Sequence, residues 1–350
     1  MQTKPKIIVI LGQTATGKSD LAVKLAKKLN GLNRSLGSVG RTSPREVLGE
    51  IISADSRQVY KGLDIGTGKV PRDQNLKLQI TNYKQYPNSK SQIQNNYFYK
   101  GVKHHLLDVA SPKRQFSVAE YKKLAEEKIK DILKRGKIPI IVGGTGLYIQ
   151  SIVDGFIYPE VKPNSKLRQK LSKLSIERLF KILKKLDPAR AKNIDAKNPH
   201  RLIRAIEIAK TLGKVPKIIK GKSRWQTLQI GIKLPDKILK ERISKRLYAR
   251  LRANMINEAR RLYKQGLSWR RMEELGLEYK YMALYLQKKL TKEQFIEQLN
   301  NAIWQYAKRQ WTWFKRDKRI YWFDVSKKSN LKKIEKLVKK FLRQDLILSR

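Results

Sequence analysis

Eight residues near the start of the chain, Gly12-Gln13-Thr14-Ala15-Thr16-Gly17-Lys18-Ser19, fit G-x-x-x-x-G-K-[S/T], the pattern of a phosphate-cradling loop. The flanks of this loop constrain the fold. Residues 6–11 (KIIVIL) are a short apolar, β-branched run that predicts a buried strand. Residues 19–29 place Leu21, Ala22, Leu25, Ala26 and Leu29 at helical spacing. Strand, glycine loop and helix in that order let backbone N–H groups close on phosphate oxygens at a helix N-terminus. Lys18 is then expected to reach the outer phosphates and Ser19 to hold Mg²⁺. Without a ligand, the same residues would read as a tight turn. The loop leaves open which phosphate compound it holds.

The next segments extend this pattern. Residues 31–47, rich in Gly, Ser, Asn and Arg, read as a surface loop insertion. Residues 50–54 (EIISA) predict a second buried strand, which ends in Asp55-Ser56-Arg57-Gln58. Ligands of open parallel sheets bind beyond the carboxyl ends of the strands, so Asp55 is expected near the phosphate loop. There it would be a general base or a Mg²⁺-linked carboxylate, the alternative being a turn or helix cap. Residues 61–71 (KGLDIGTGKVP) hold three glycines and Lys69 and read as a flexible loop able to close on a substrate. Residues 75–100 read as a polar surface insertion or short hairpin. His104 and His105 open a short strand or turn, and with no third ligand at metal spacing a zinc site is not expected. Ser117-Val118-Ala119-Glu120 predicts a capping box on a helix that Gly136 ends. Residues 137–142 (KIPIIV) predict another buried strand, running into Gly143-Gly144-Thr145-Gly146. These glycines permit close backbone approach and Thr145 offers a hydroxyl, or the segment is simply a tight turn. Strands alternating with helices indicate an α/β fold with a mostly parallel sheet.

From Phe156 the alternation stops. Residues 166–186 and 201–212 read as amphipathic helices separated by Asp187-Pro188 and Asn198-Pro199. Residues 156–222 hold 19 basic and 5 acidic residues, a net +14. They read as a helical insertion in a core formed by 1–155 and 223–350. The whole chain carries 79 Lys+Arg against 29 Asp+Glu, net +50, which points to a polyanionic partner, nucleic acid before membrane. A lysine-biased composition throughout the source genome would raise the charge as well. The absence of cysteine excludes disulfides, a thiol nucleophile and a cysteine zinc site. No apolar run approaches the ~20 residues of a membrane span and no secretory signal is read, so a cytoplasmic location is expected. Residues 227–234 predict a returning strand, and 236–265 and 291–315 predict long helices. In the second of these, Trp304, Tyr306, Trp311, Trp313 and Phe314 alternate with Lys308, Arg309 and Lys315. Such a helix can stack on RNA or can be a packed helix with a solvated face. A late edge strand (320–325) and a basic amphipathic helix from Leu331 close the chain.

Several of these stretches together resemble the tRNA dimethylallyltransferase (tRNA isopentenyltransferase) family: GQTATGKS at 12–19, DSRQVYKGLDIGTGK at 55–69, HHLLDV at 104–109, IVGGTGLY at 141–148, NPHRLIRAIEI at 198–208 and AKRQWTWF at 307–314. They follow the family order and cover the chain almost end to end. The resemblance implies a P-loop kinase-like α/β core with an inserted helical domain that grips the anticodon stem-loop of tRNA. It implies transfer of a dimethylallyl group from dimethylallyl diphosphate to N6 of the adenosine 3′ of the anticodon, with Mg²⁺, by an enzyme expected to be monomeric. By motif, Asp55 would be the general base. Lys18 and Thr145 would join it in catalysis, and residues 12–19 would bind the diphosphate. Asp55, Ser56, Arg57, Gln58, Thr145, Arg168, His200, Arg201, Leu202, Ile203 and Arg204 would contact tRNA. The chain departs from the family at Gly276-Leu277-Glu278-Tyr279-Lys280, where a Gly-Tyr-Arg segment is common, and the insertions at 31–47 and 73–100 have no clear counterpart. Two other readings are a small-molecule or nucleoside kinase using the loop for ATP, and a P-loop RNA-binding protein without chemistry. The kinase is disfavoured by the basic insertion, and the binding protein leaves Asp55 and Thr145 without a task.

Overall fold

The apolar run near the N-terminus forms the middle of the sheet. The structure, a computed structural model, describes residues 4–29, 48–73, 97–217, 219 and 221–343. The insertion read at 31–47 and most of the one read at 75–100 lie outside the described residues. The strands are β1 (Lys6–Gly12), β2 (Gly49–Ala54), β3 (Tyr97–Tyr99), β4 (Val102–His105), β5 (Ile138–Gly143), β6 (Gln226–Lys233) and β7 (Ile320–Asp324), in the spatial order β3-β4-β2-β5-β1-β6-β7. All neighbours run parallel except β3 and β4, which form an antiparallel hairpin. Ile7, Ile8, Val9, Ile10 and Leu11 are all fully buried, as expected for a parallel strand covered on both faces. The pleat sorts them. Ile7, Val9 and Leu11 join one apolar cluster, and Ile8 and Ile10 join another on the opposite face.

Thirteen helices surround or interrupt the sheet among the described residues. In the first half are α1 (Lys18–Lys28), α2 (Val118–Lys134) and α3 (Gly146–Val153). A run of four follows: α4 (Ser165–Leu171), α5 (Ile176–Leu186), α6 (Pro188–Lys192) and α7 (Pro199–Leu212). After β6 come α8 (Asp236–Arg252), α9 (Met255–Lys264), α10 (Trp269–Leu275), α11 (Leu277–Leu286), α12 (Lys292–Phe314) and, after β7, α13 (Ser329–Arg343). The chain divides into two compact units, one of Met1–Val153 with Ser223–Arg350 and one of Asp154–Lys222. The smaller unit has its own core of Leu171, Leu179, Leu183, Ala191, Leu202, Ala205 and Ile206. None of the described helices is long and apolar enough to cross a membrane.

Local chemistry sets the helix boundaries. Ser117 and Glu120 make both bonds of the capping box at the start of α2. Asp187-Pro188 and Asn198-Pro199 start helices: each proline takes the first turn, where its missing N–H costs nothing, and Asp187 and Asn198 cap the amides of Arg190 and Arg201. The stretch 236–265, expected as one helix, is two. Asn254 takes a left-handed conformation (φ 66°), which asparagine tolerates better than most residues, and turns the chain between α8 and α9. The stretch 166–186 also breaks, at Ser175, whose hydroxyl caps Arg178 N at the start of α5.

His104 and His105 point to opposite faces of β4. His105 Nε2 lies 2.7 Å from Glu50 Oε2, and Glu50 also accepts two hydrogen bonds from Arg135. His104 Nδ1 donates to Val102 O (2.9 Å), and its buried Nε2 has no partner among the described residues. Burial pushes the His104 imidazole down to about 4. The unfolded chain therefore takes up this proton below about pH 6.5 and the folded chain only below about pH 4. Stability is expected to fall across that window as pH drops, by about 3 kcal/mol from this residue. Urea unfolding at pH 7 and pH 4.5 checks this: His104→Gln should shrink the difference, and an unchanged difference would assign the acid sensitivity elsewhere.

Candidate functional site

The carboxyl ends of three adjacent strands converge on the phosphate loop. Gly143 at the end of β5 is in register with Leu11 of β1 on one side and Ala54 of β2 on the other. The loop 12–17, Asp55 and Thr145 therefore lie side by side. Within the loop, Ala15 (φ 62°) and Gly17 (φ 91°) are left-handed, which turns successive N–H groups toward one concavity at the start of α1. Gly17 occupies the cap position with no side-chain bond, leaving the first amides of α1 for a ligand. Thr16 Oγ1 and Lys18 Nζ both donate to Gln13 O (2.8 and 2.5 Å). Ser19, half-buried, opens the first turn of α1.

Asp55 serves as both a turn former and a site carboxylate. Its Oδ1 accepts from Arg57 N (2.8 Å) and Gln58 N (3.3 Å), and its Oδ2 has no hydrogen-bond partner among the described residues. Thr145 Oγ1 accepts from Ser56 N (3.0 Å), and Thr145 N donates to Ala54 O (3.2 Å), which binds the two strand ends together. Gln58 is engaged by Ser53 Oγ and Gly68 O (both 3.4 Å), while Arg57 stands half-buried near Gly276.

Several residues beyond the expected catalytic and binding set complete this site. Arg246 on α8 donates to Thr14 Oγ1 (3.2 Å) and Gly68 O (3.4 Å). One turn on, Arg250 donates to Gly66 O (3.1 Å) and pairs with Glu278 (2.8 Å). Arg246 and Lys18 have no ion-pair partner among the described residues, so two half-buried cations share the loop. Burial, then Arg246, lowers the Lys18 ammonium to about 7, with Asp55 acting the other way. On α12, the buried Gln310 carboxamide accepts from Thr14 N (2.7 Å) and donates to Gly144 O (2.9 Å). A Cβ on Gly144 would lie 2.1 Å from that nitrogen, so a larger residue there would displace the carboxamide. Tyr306 lies against Thr145, and burial followed by Asp55 raises its phenol well above the ordinary value. In the sequence, Gln310 and Trp313 fall in the AKRQWTWF stretch, and Tyr306, Gln310 and Trp313 share a single face of α12.

The segment 61–71, expected to be a flexible loop, is braced from within. Lys69 Nζ is enclosed and bonded to Asp64 (2.6 Å), Asp108 (2.5 Å) and Tyr60 O (3.0 Å). Buried Glu258 takes the amides of Asp64, Ile65 and Gly66. Lys69 is thus an anchor of this loop and unavailable to a substrate. At the departure from the family pattern, Tyr279 donates to Glu258 Oε1 (2.6 Å) and Glu278 pairs with Arg250. A shallow depression lined by Tyr285, Lys288, Lys289 and Thr291 borders none of these residues.

In the smaller unit, the motif residues separate by exposure. Arg168 reaches buried Glu207 through Nε (2.9 Å) and Nη2 (2.7 Å), and Arg204 bonds both Glu207 and Val161 O. Leu202 is fully buried in that unit's core and Ile203 packs against it. His200 and Arg201 are exposed. No group of three His, Asp or Glu converges as a metal site among the described residues.

Comparison with known proteins matches this arrangement to a family. The family described as IPP transferase matches residues 58–317. The tRNA dimethylallyltransferase of Anoxybacillus flavithermus is 37% identical over 326 residues, covering 92% of this chain and 91% of that protein. The tRNA dimethylallyltransferase 2 of Treponema denticola is 39% identical over 321 residues, covering 90% and 93%. The crystal structure of the full-length tRNA isopentenylpyrophosphate transferase from Bacillus halodurans superposes with a TM-score of 0.64 at 31% identity, covering 99% of each chain.

Proposed function

Because the chain belongs to the IPP transferase family, we propose that it transfers a dimethylallyl group from dimethylallyl diphosphate to N6 of the adenosine 3′ of the tRNA anticodon. It is a prenyltransferase that modifies tRNA. The observation that carries the finer reading is the pair of half-buried cations without an ion-pair partner among the described residues, Lys18 and Arg246, at a loop of converging amides beside Asp55. Two like charges partly withdrawn from water and close together repel, so such a pair calls for a compact polyanion.

The reaction follows from these parts. The allylic C–O bond breaks, its electrons leave with the diphosphate, and the developing allylic cation is shared across the double bond. Lys18, Arg246 and the loop amides stabilise the departing charge, which they do strongly in a dry site. N6 forms the new C–N bond and gives up a proton, which Asp55 Oδ2 accepts, while Oδ1 stays fixed by Arg57 N and Gln58 N. Thr145, held between Ser56 N and Tyr306, lines the side where the adenine enters. Because N6 is conjugated with its ring and stacked in RNA, the base must leave its stack to reach Asp55.

The donor set at the loop suits Mg²⁺. Ser19 offers one hard oxygen, and a metal that keeps its waters and takes phosphate oxygens needs few protein ligands. When bound, Mg²⁺ adds positive charge at the leaving group. In the smaller unit, His200 and Arg201 face solvent and would meet tRNA directly, while Arg168 and Arg204 hold the unit together around Glu207. The net +14 of residues 156–222 would make tRNA affinity strongly salt-dependent. A tRNA-modifying enzyme of this kind would work in the cytoplasm.

One assay tests the function. Incubated with tRNA and labelled dimethylallyl diphosphate, the protein is expected to label the tRNA. With labelled ATP instead, no phosphate should transfer. Phosphate transfer without prenyl transfer would overturn the assignment in favour of a kinase.

A further inference from the structure

The face of α12 that lines the site does not end at Gln310. Tyr306, Gln310 and Trp313 follow one another by four and three residues, so they share one face of the helix. Tyr306 meets Thr145, Gln310 meets Gly144, and the Trp313 indole lies against Gly146, where a Cβ would come within 2.3 Å of the ring. The three side chains thus all pack on the backbone 144–146 beside the reacting end. Unlike the other two, Trp313 is 39% exposed, and Leu147, which follows Gly146 in α3, is 41% exposed. A large aromatic and a leucine exposed together beside a polar site form a patch that water solvates poorly. The surroundings are basic. Arg309 stands 5.9 Å over the Tyr306 ring, and Lys308, Lys315 and Arg316 are exposed on the same stretch.

We propose that Trp313 is a stacking platform for a nucleobase adjoining the reacting adenosine, with Leu147 flanking it. The inference rests on the proposed transfer to tRNA. A base that leaves its stack strips its neighbours of one stacking partner. The cheapest replacement is a rigid aromatic face at the mouth of the site, with cations close by for the phosphates. Part of the indole is covered at Gly146, and the residue keeps 39% of its surface open to solvent. The sequence-level ambiguity of this helix is resolved residue by residue: Phe314 is core, while Trp313 is the face left for RNA.

Trp313→Met keeps bulk over Gly146 without an aromatic face, and Trp313→Phe keeps a ring. With an anticodon stem-loop RNA as substrate, Trp313→Met is expected to raise KM for RNA roughly 5- to 150-fold, and Trp313→Phe much less. KM for the prenyl diphosphate should be unaltered in both. With 2-aminopurine placed beside the target adenosine, binding to the unaltered protein should quench its fluorescence, and Trp313→Met should lose that quench. Met and Phe variants with equal RNA KM would overturn the proposal. A rise confined to the prenyl diphosphate KM would also overturn it and give the patch to the prenyl chain. Loss of self-association with RNA affinity intact would give the patch to a second copy of the chain. If the unaltered protein places no prenyl group on any tRNA, the proposed function itself fails, whatever the variants do.

Discussion

Asp55→Ala is expected to lose most turnover, on the order of 10²–10⁴-fold in kcat, with tRNA affinity little changed. The geometry provides a sharper variant. Asp55 Oδ1 closes the turn by accepting from Arg57 N and Gln58 N, and only Oδ2 is available to take a proton. Asparagine keeps the first role and loses the second. Asp55→Asn should therefore match Asp55→Ala in lost turnover while retaining wild-type unfolding behaviour. Alanine should in addition cost about 1 kcal/mol of stability from the lost side-chain bonds. Single-turnover rates with saturating tRNA, alongside tRNA Kd values, check this. Equal losses in rate and tRNA affinity, or an active asparagine variant, would leave Asp55 as a turn former only.

The second large effect belongs to Lys18. Lys18→Ala should cost about 10²–10³-fold in kcat/KM for the prenyl diphosphate, the scale seen when one donor to a developing anion is removed. The pH dependence gives the claim a sign. Burial, then the like charge of Arg246, brings the Lys18 ammonium to about 7 in the ligand-free protein. Only the protonated form attracts diphosphate, so kcat/KM for that substrate should fall as pH rises through about 7. Binding should draw in a proton, which calorimetry in buffers of different ionisation enthalpy measures. Replacing Arg246 by Gln removes a cation that depresses Lys18, so the break in the profile should move to higher pH even as diphosphate affinity drops. Normal kinetics in Lys18→Ala would sink the assignment of the loop. A break that stays in place in Arg246→Gln would separate the two cations.

The parts of this site that were legible in the sequence are those made by contiguous residues. A strand, eight loop residues and a helix carry their own signal, as do Asp55 and Gly143-Gly144-Thr145 at strand ends, because a parallel sheet brings its carboxyl ends together. Arg246 was not legible, since one arginine among 79 basic residues carries no mark until α8 is seen to run past Thr14. Gln310 was hidden for the same reason. Its two partners, Thr14 and Gly144, are far from it in sequence. The segment 61–71 misled because glycines suggest freedom, whereas Glu258 and the buried Lys69 remove it. A motif match also cannot tell which arginines are engaged within their own fold, as Arg168 and Arg204 are by Glu207.

The bond between Thr14 and Gln310 spans 296 residues, and this distance has a consequence for how the molecule is made. Chains emerge from the ribosome N-terminus first. The phosphate loop emerges before its partners, so β1 waits for β5 and β6 to flank it, and the loop waits longer still for α12. Closing so distant a contact is entropically expensive until the intervening chain has already condensed. A nascent or truncated chain ending before residue 310 would therefore carry the whole diagnostic motif and still lack the wall that holds it. Prenyl transfer would thus report that translation has passed residue 310, which no assay of the phosphate-loop motif alone could do.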